Sequence, residues 1–297
     1  MNEELTVLQQ PNKVDSGQAL AYTLLFLTAF SWGLSTVLSK VCISALPPGH
    51  ILMVRAAIAT LILFLASPRK ILKMGREDLK TGLLLGLIVF FAYYLGIASL
   101  KYTSASKAGF LMALNVLFVP AAEAVLKKRL PSKWVVTSVL ISLVGLKFIS
   151  GINGGSFNFG DLLAFFCAVA YSVYTICLDR FGRDKDDYVL SFIQVAVLAV
   201  AAFCGAFFLE GFHLGAVQAN LLPLLVMGVF GTGAATLFQT KAQKTASPES
   251  VGIILLADPI CTLVLAAVFL HETILFSGLI GGGLIVLSCI IAIVKKV

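Results

Sequence analysis

The sequence predicts an all-α membrane protein of ten transmembrane helices, arranged as two inverted five-helix repeats. Three observations carry this. The 297 residues are 59% hydrophobic and 12% charged, against roughly 45–50% and about 25% in soluble domains, and a mean hydropathy of +0.98 leaves too little polar surface for a water-soluble body. Apolar runs of bilayer-spanning length recur from end to end. The second half also echoes the first: Ala29-Phe-Ser-Trp-Gly-Leu-Ser-Thr36 returns weakly as Ala168-Val-Ala-Tyr-Ser-Val-Tyr-Thr175, and Ser106-Lys-Ala-Gly109 to Asn115 returns as Glu249-Ser-Val-Gly252 to Asp258.

Residues 1–18 are polar, without a basic stretch leading to a cleavage site, and read as a short tail whose targeting is left to the first helix. Spans then follow at 19–41, 50–66, 81–100, 107–126 and 134–150, making a first repeat of 19–150. A connection at 151–159 leads to the second repeat, 160–297, with spans at 160–179, 188–209, 221–240, 250–270 and 274–294. The longest polar breaks, Ser67 to Lys80 and Glu210 to Asn220, are too short to house an extramembrane module. Five spans per unit is an odd number, so the second unit enters from the opposite side. A pseudo-twofold axis in the membrane plane results, and with it two nearly equivalent packings, one open to each side.

With a cytoplasmic amino terminus, the inner side holds Lys13; Arg69, Lys70, Lys73, Arg76 and Lys80; Lys127, Lys128, Arg129 and Lys133; Arg180, Arg183 and Lys185; Lys241 and Lys244; and Lys295 and Lys296, which is 17 of the 22 basic residues. Such an asymmetry is what the positive-inside rule demands. It predicts a multi-pass protein of a bacterial-type plasma membrane with both termini cytoplasmic. The net charge of +7 is then topological, and a nucleic-acid partner is excluded because no water-exposed basic face exists to bind one. The expected partners are the lipid bilayer and a small-molecule substrate, with protons as a candidate coupling ion and the chain as a monomer or homodimer. The six cysteines sit in or at the ends of apolar runs without CxxC or Cys/His spacing. They read as packing residues, and neither a metal nor a cofactor is expected.

The chain also carries a resemblance. Trp32-Gly33, Pro47-Pro48 followed by Arg55, Gly160-Asp161 through Ala170-Tyr171, and Asp258-Pro259 followed by His271-Glu272-Thr273, in that order on ten spans, resemble the EamA-type branch of the drug/metabolite transporter superfamily. The resemblance implies ten helices around a central cavity and secondary transport of small metabolites, often efflux. Two departures are visible: Lys128-Arg129 stands where a Gly-Glu pair is usual, and Asp258 where Glu is common before the proline.

Ionisable groups at membrane depth are retained mainly where they face a cavity or a partner. Asp258 falls near the midplane of its span, as does its repeat mate Asn115, and Pro259 loosens the helix beside it. Asp258 is a substrate-binding and proton-coupling candidate, weighed against an internal helix–helix hydrogen bond. Arg55, roughly 8 Å below the outer surface, snorkels, pairs with an acid of the outer half, or anchors an anionic group through its planar donor fork. Glu123 is spaced for a helical ion pair with Lys127, with proton carriage as the second reading. Thr28, Ser31, Ser35 and Ser39 form a polar stripe beside Trp32, facing a cavity or another helix. Trp32 and its repeat mate Tyr171, with Tyr174 one turn on, predict an aromatic-lined chamber, to which Tyr93, Tyr94 and Gln239 are further lining candidates. Glu272 reads as a loop tether and His213 as solvated. Gly82 with Gly86, and Gly278 with Gly282 beside Gly281 and Gly283, predict close helix approaches.

Other chemistries find no residues. Gly33-Leu34-Ser35 lacks the following glycine and membrane histidine of an intramembrane serine protease, His271-Glu272 lacks the second His of HExxH, no GxxxxGK[ST] exists for a nucleotide-driven pump, and Asp184-Lys185-Asp186 reads as a solvated charge cluster. The sequence therefore predicts no enzyme. It predicts a secondary active transporter exporting an amino acid or similar amphoteric compound by alternating access, with a polytopic intramembrane enzyme or channel as the alternative.

Overall fold

In the computed structural model, residues 16–150, 158–211, 214–271 and 276–295 are described. The expectations placed on Lys13 and residues 1–15, on residues 151–157, and on His213, Glu272 and Lys296 lie outside the described residues. The long helices are α1 (Ser16–Cys42), α2 (Pro48–Ala66), α3 (Arg76–Ser99), α4 (Ala105–Met112 and Asn115–Lys127), α5 (Lys133–Ser150), α6 (Phe159–Gly182), α7 (Asp187–Gly205, continued by a π turn at Ala206–Glu210), α8 (Leu221–Ala242), α9 (Pro248–Ile254 and Ala257–Leu270) and α10 (Phe276–Val294). Among the described residues nine spans are long and apolar enough to cross a bilayer, and α5, an apolar helix of 18 residues, stands where the fifth is expected. Alternating passes bring the start of α1 and the end of α10 to one face, called here the terminal face. The other is the distal face.

Local chemistry sets the helix ends, and it does so twice. Ser104 caps α4 by accepting from Lys107 N, and Ser247, 143 residues on, caps α9 by accepting from Ser250 N. Each helix breaks in its middle, at Ala113–Leu114 and at Leu255–Leu256, where bonds to the third residue back replace the α-helical ladder: Val116 N to Ala113 O at 3.1 Å in one, Asp258 N to Leu255 O at 2.9 Å in the other. Each ends on a non-glycine residue in the left-handed region, Lys128 at φ 52° and His271 at φ 55°, again 143 apart. Start, break and end thus recur together, which makes the faint sequence repeat a structural one. Asn158 and Asp161 form a capping box at α6, and Asp186 caps α7 from Tyr188 N and Val189 N. Asp186 also pairs with Lys70 at 3.0 Å, so the expected solvated cluster at 184–186 contributes a cap and a tether.

The two halves interlock: α1 packs on α8 and α9, α2 on α7, α3 on α6 and α7, and α5 along α10. Glycines permit the approaches. A Cβ at Gly33 would fall 2.7 Å from Cys261 Cβ, one at Gly86 would fall 2.6 Å from Val197 Cβ, and one at Gly145 would fall 2.8 Å from the Gly281 carbonyl. Gly82 likewise faces Ile193 of α7. Gly282 and Gly283 meet nothing within 4 Å, so within the Gly281–Gly283 run it is Gly281 that touches α5. Phe30, Leu65, Phe91 and Val200 are half-exposed or more on the outside of the bundle, as lipid-facing side chains should be.

Candidate functional site

The polar stripe of α1 divides in two. Toward the terminal face it is turned against helices: Thr28 Oγ1 donates to Leu24 O of its own helix at 2.8 Å and reaches the Ala235 carbonyl of α8 at 3.5 Å, while Ser31 donates back to Leu27 O within α1. Toward the distal face Ser35, Thr36 and Ser39 line a cavity of about 120 Å³. The buried Ser35 hydroxyl makes no hydrogen bond to protein. One helix face therefore serves both readings of the stripe, at different depths.

The cavity lies between the halves, within the part of the bundle nearer the distal face. Trp32, Arg55, Tyr93, Asn115, Tyr171 and Asp258 line it, as do Gly96, Met112 and Cys167, which the sequence did not single out. Both helix breaks open onto it, since Ala113 with Asn115 and Leu255 with Asp258 and Pro259 form part of the wall. Pro259 cannot supply the N–H that an unbroken helix would return to Leu255 O, which explains one break. Trp32 stands edge-on to two rings, Tyr93 with centroids 6.3 Å apart and Tyr171 at 5.2 Å. These pairs set the rings as an aromatic wall.

Two charges meet this wall. Arg55 is 4% exposed and turns into the bundle, not out to solvent: Nε donates to Thr232 Oγ1 at 2.7 Å, Nη2 donates to the Gly231 carbonyl at 3.1 Å, and Cζ lies 5.5 Å from the Tyr93 ring centroid. Asp258 Oδ1 accepts from Thr262 Oγ1 at 3.1 Å. Among the described residues no acid lies within ion-pair distance of Arg55 and no base within that distance of Asp258. A buried charge without a counter-charge costs several kcal/mol, so Arg55 would gain from an anion and Asp258 from a cation or a proton.

Four sequence candidates lie elsewhere. Tyr174 is buried and donates to Gln194 Oε1 at 2.7 Å, while Gln239 Nε2 donates to Gln243 Oε1 at 3.0 Å and Gln243 Nε2 to the Thr175 carbonyl at 3.1 Å. This polar cluster joins α6, α7 and α8 on the terminal side, apart from the chamber lining. Glu123 pairs with Lys127, which also reaches Glu249 at 3.8 Å, so Glu123 is at the terminal end of α4 and not in the chamber wall. Tyr94 turns away from the chamber as well, donating to Glu210 Oε1 at 3.2 Å.

Sequence reasoning missed the group around Glu210. Its carboxylate accepts from Gly49 N at 3.0 Å and lies 3.1 Å from His50 Nδ1, tying the start of α2 to the π turn after α7. The partners are 160 residues apart, and no local spacing announces them. A second distal tie, Lys107 Nζ to Asp161 Oδ2 at 2.6 Å with Thr103 Oγ1 on Oδ1, joins α4 to α6.

Comparison with known proteins fits this arrangement. Residues 19–151 and 158–294 each match the EamA-like transporter family. An uncharacterized transporter of Archaeoglobus fulgidus is 28% identical over 90% of this chain and 83% of its own length. A protein of Ancylobacter novellus named an aromatic amino acid exporter, YddG, is 26% identical over 62% of this chain and 64% of its own. A crystal structure at 23% identity superposes with a TM-score of 0.73, covering 91% of this chain and 96% of the other, which establishes the common fold.

Proposed function

Because the chain belongs to the EamA-like transporter family through both of its halves, we propose that it is a secondary carrier exporting an amphoteric metabolite, an amino acid with an aromatic or large apolar side chain, by alternating access. The observation that carries this reading is the pairing of one uncompensated cation, Arg55, with one uncompensated carboxylate, Asp258, on a single chamber walled by Trp32, Tyr93 and Tyr171. Arg55 takes the substrate carboxylate, Asp258 its ammonium, and the rings take the side chain. When the substrate leaves, Asp258 is free to take a proton in its place, which couples transport to a pH gradient. The name of the Ancylobacter novellus relative supports the substrate class.

The conformation fits one half of such a cycle. The chamber lies toward the distal face, while Gln194, 139 residues after Arg55 and so at its repeat position by the offset that relates Ala29 to Ala168, is closed off against Tyr174 toward the terminal face. We take the terminal face as cytoplasmic from its excess of Lys and Arg. Exchange of labelled phenylalanine in proteoliposomes, with and without a pH gradient, tests the reading. Arg55→Gln is expected to raise KM by about 10- to 100-fold, the loss of a charge-assisted hydrogen bond worth about 1.5–3 kcal/mol. Asp258→Asn is expected to abolish acceleration by the pH gradient. Full activity with retained coupling in both variants would overturn the assignment, and a chemically altered product would favour an enzyme.

A further inference from the structure

The residues that hold Arg55 come from an unusual stretch. Met227–Ala234 of α8 is π-helical over eight residues, while α8 returns to α-helix at Ala235. Such turns are rare and concentrate where a helix has a task besides packing. Three glycines in this stretch press α8 against its neighbours. A Cβ at Gly231 would fall 2.7 Å from the Ser35 side chain, one at Gly228 would fall 2.7 Å from Ile58 and 3.0 Å from the carbonyl of Arg55 itself, and Gly233 lies against Ala59. The π stretch is therefore seated on α2 at the root of the Arg55 side chain, and it presents the Gly231 carbonyl and the Thr232 hydroxyl to the guanidinium.

Those two acceptors engage one edge of the group. A guanidinium has five N–H donors and can grip a carboxylate through its Nε–Nη2 edge or through its Nη1–Nη2 end. Thr232 on Nε and Gly231 O on Nη2 fill the first. The Tyr93 ring beneath Cζ restrains the plane. Both holding groups are neutral, so the positive charge is oriented without being cancelled. A carboxylate in the place of Thr232 would hold Arg55 as firmly and remove its attraction for a ligand anion.

We infer that Thr232 is a positioning residue for ligand recognition: with the Gly231 carbonyl it locks the side edge of Arg55 and leaves the Nη1–Nη2 end as the fork by which the chamber selects a planar carboxylate over its neutral amide. This deepens the function proposed above and rests on its assignment of Arg55, but not on transport.

Binding to the purified full-length protein tests it, read as ligand-induced stabilisation against heat, with phenylacetate and phenylacetamide as probes of matched size. The wild type is expected to bind phenylacetate at least about 10-fold more tightly than the amide, the scale of one charge-assisted hydrogen bond. Thr232→Val, close in shape but without the acceptor, is expected to lose most of that preference while its affinity for phenylacetamide stays unchanged. Thr232→Ser is expected to keep the preference, and Thr232→Ala takes the place of the valine variant should the latter not fold. A wild type without preference, a Val or Ala variant with wild-type preference, or equal weakening of both probes would overturn the proposal, the last because it marks a packing role. A carboxylate preference that depends on Thr232 in a protein that exchanges no amino acid would leave the positioning role standing and dismiss the amino-acid reading. Amino-acid exchange without carboxylate preference would do the reverse.

Discussion

Lys128 ends α4 at φ 52°, a region in which a Cβ crowds the following carbonyl at a cost of roughly 1–2 kcal/mol. Its backbone N–H still bonds to Val125 O at 3.4 Å, so the helix is closed by a left-handed cap of the kind glycine makes without strain. The departure noted in the sequence, lysine where glycine is usual, is thereby given a physical cost. Lys128→Gly is expected to raise the apparent melting temperature, with a stability gain of about 1 kcal/mol, measured by thermal unfolding in detergent. Lys128 lies at the terminal end of α4, outside the chamber lining, so transport should not change. An unchanged or lowered melting temperature would mean that the cap is relaxed by contacts of the lysine itself. Arg55 and Asp258 are legible in the sequence for the opposite reason: a charge within an apolar run is costly enough to require an explanation. Glu210 and His50 are not legible, because their partners are remote and they stand at span ends, where a charge costs little.

At the scale of elements, α4 and α9 are the same device twice, capped by serine, broken at the chamber and ended by a left-handed residue. Pro259 announces the break in α9. The break in α4 is silent in sequence, since its only proline, Pro120, lies beyond the broken turn. The π stretch of α8 is half legible: Gly228, Gly231 and Gly233 mark a close approach, but the register of its hydrogen bonds follows from tertiary contact with α1 and α2. Repeat and hydropathy point Tyr174 and Gln239 inward, but they do not tell to which face a chamber is open. The cap of α7 gives a test outside the membrane. Burial works against ionisation of Asp186, yet bonds from Val189 N, Lys70 and Tyr188 N outweigh it and hold its carboxyl below the usual range. A depressed carboxyl contributes stability that is present above the unfolded value of about 3.9 and is lost as pH falls through the lower folded value. Asp186→Ala is therefore expected to cost about 1 kcal/mol at neutral pH, with the difference from wild type shrinking below about pH 4. A difference independent of pH would mean that the side chain acts by packing and not as a charged cap.

At the scale of the whole molecule, the candidate site is the interface between the halves. Cross-repeat pairs build it, with α1 against α8 and α9, α2 against α7 and α3 against α6, and its polar groups are unequal on the two sides. Toward the distal face stand Arg55 and Asp258 with open space before them. Toward the terminal face Tyr174 donates to Gln194, and Gln239, Gln243 and the Thr175 carbonyl form a separate hydrogen-bonded set, all of them buried. In the proposed cycle the symmetric counterpart of this state opens the second cluster and closes the first. In that cycle, neutral amides in place of the guanidinium would hold the substrate anion less firmly on the terminal side.

Thiol labelling tests that exchange most directly. In a chain whose six cysteines are replaced, Ser39→Cys lies on the chamber wall and Gln243→Cys within the sealed cluster. Alternating access predicts that a membrane-impermeant maleimide reaches Ser39→Cys from the distal face and Gln243→Cys from the terminal face. It also predicts that, in the double variant, a bulky adduct at the first position prevents reaction at the second. Reaction of both positions in the same molecule, unaffected by the adduct, would reveal a continuous pore and contradict a carrier.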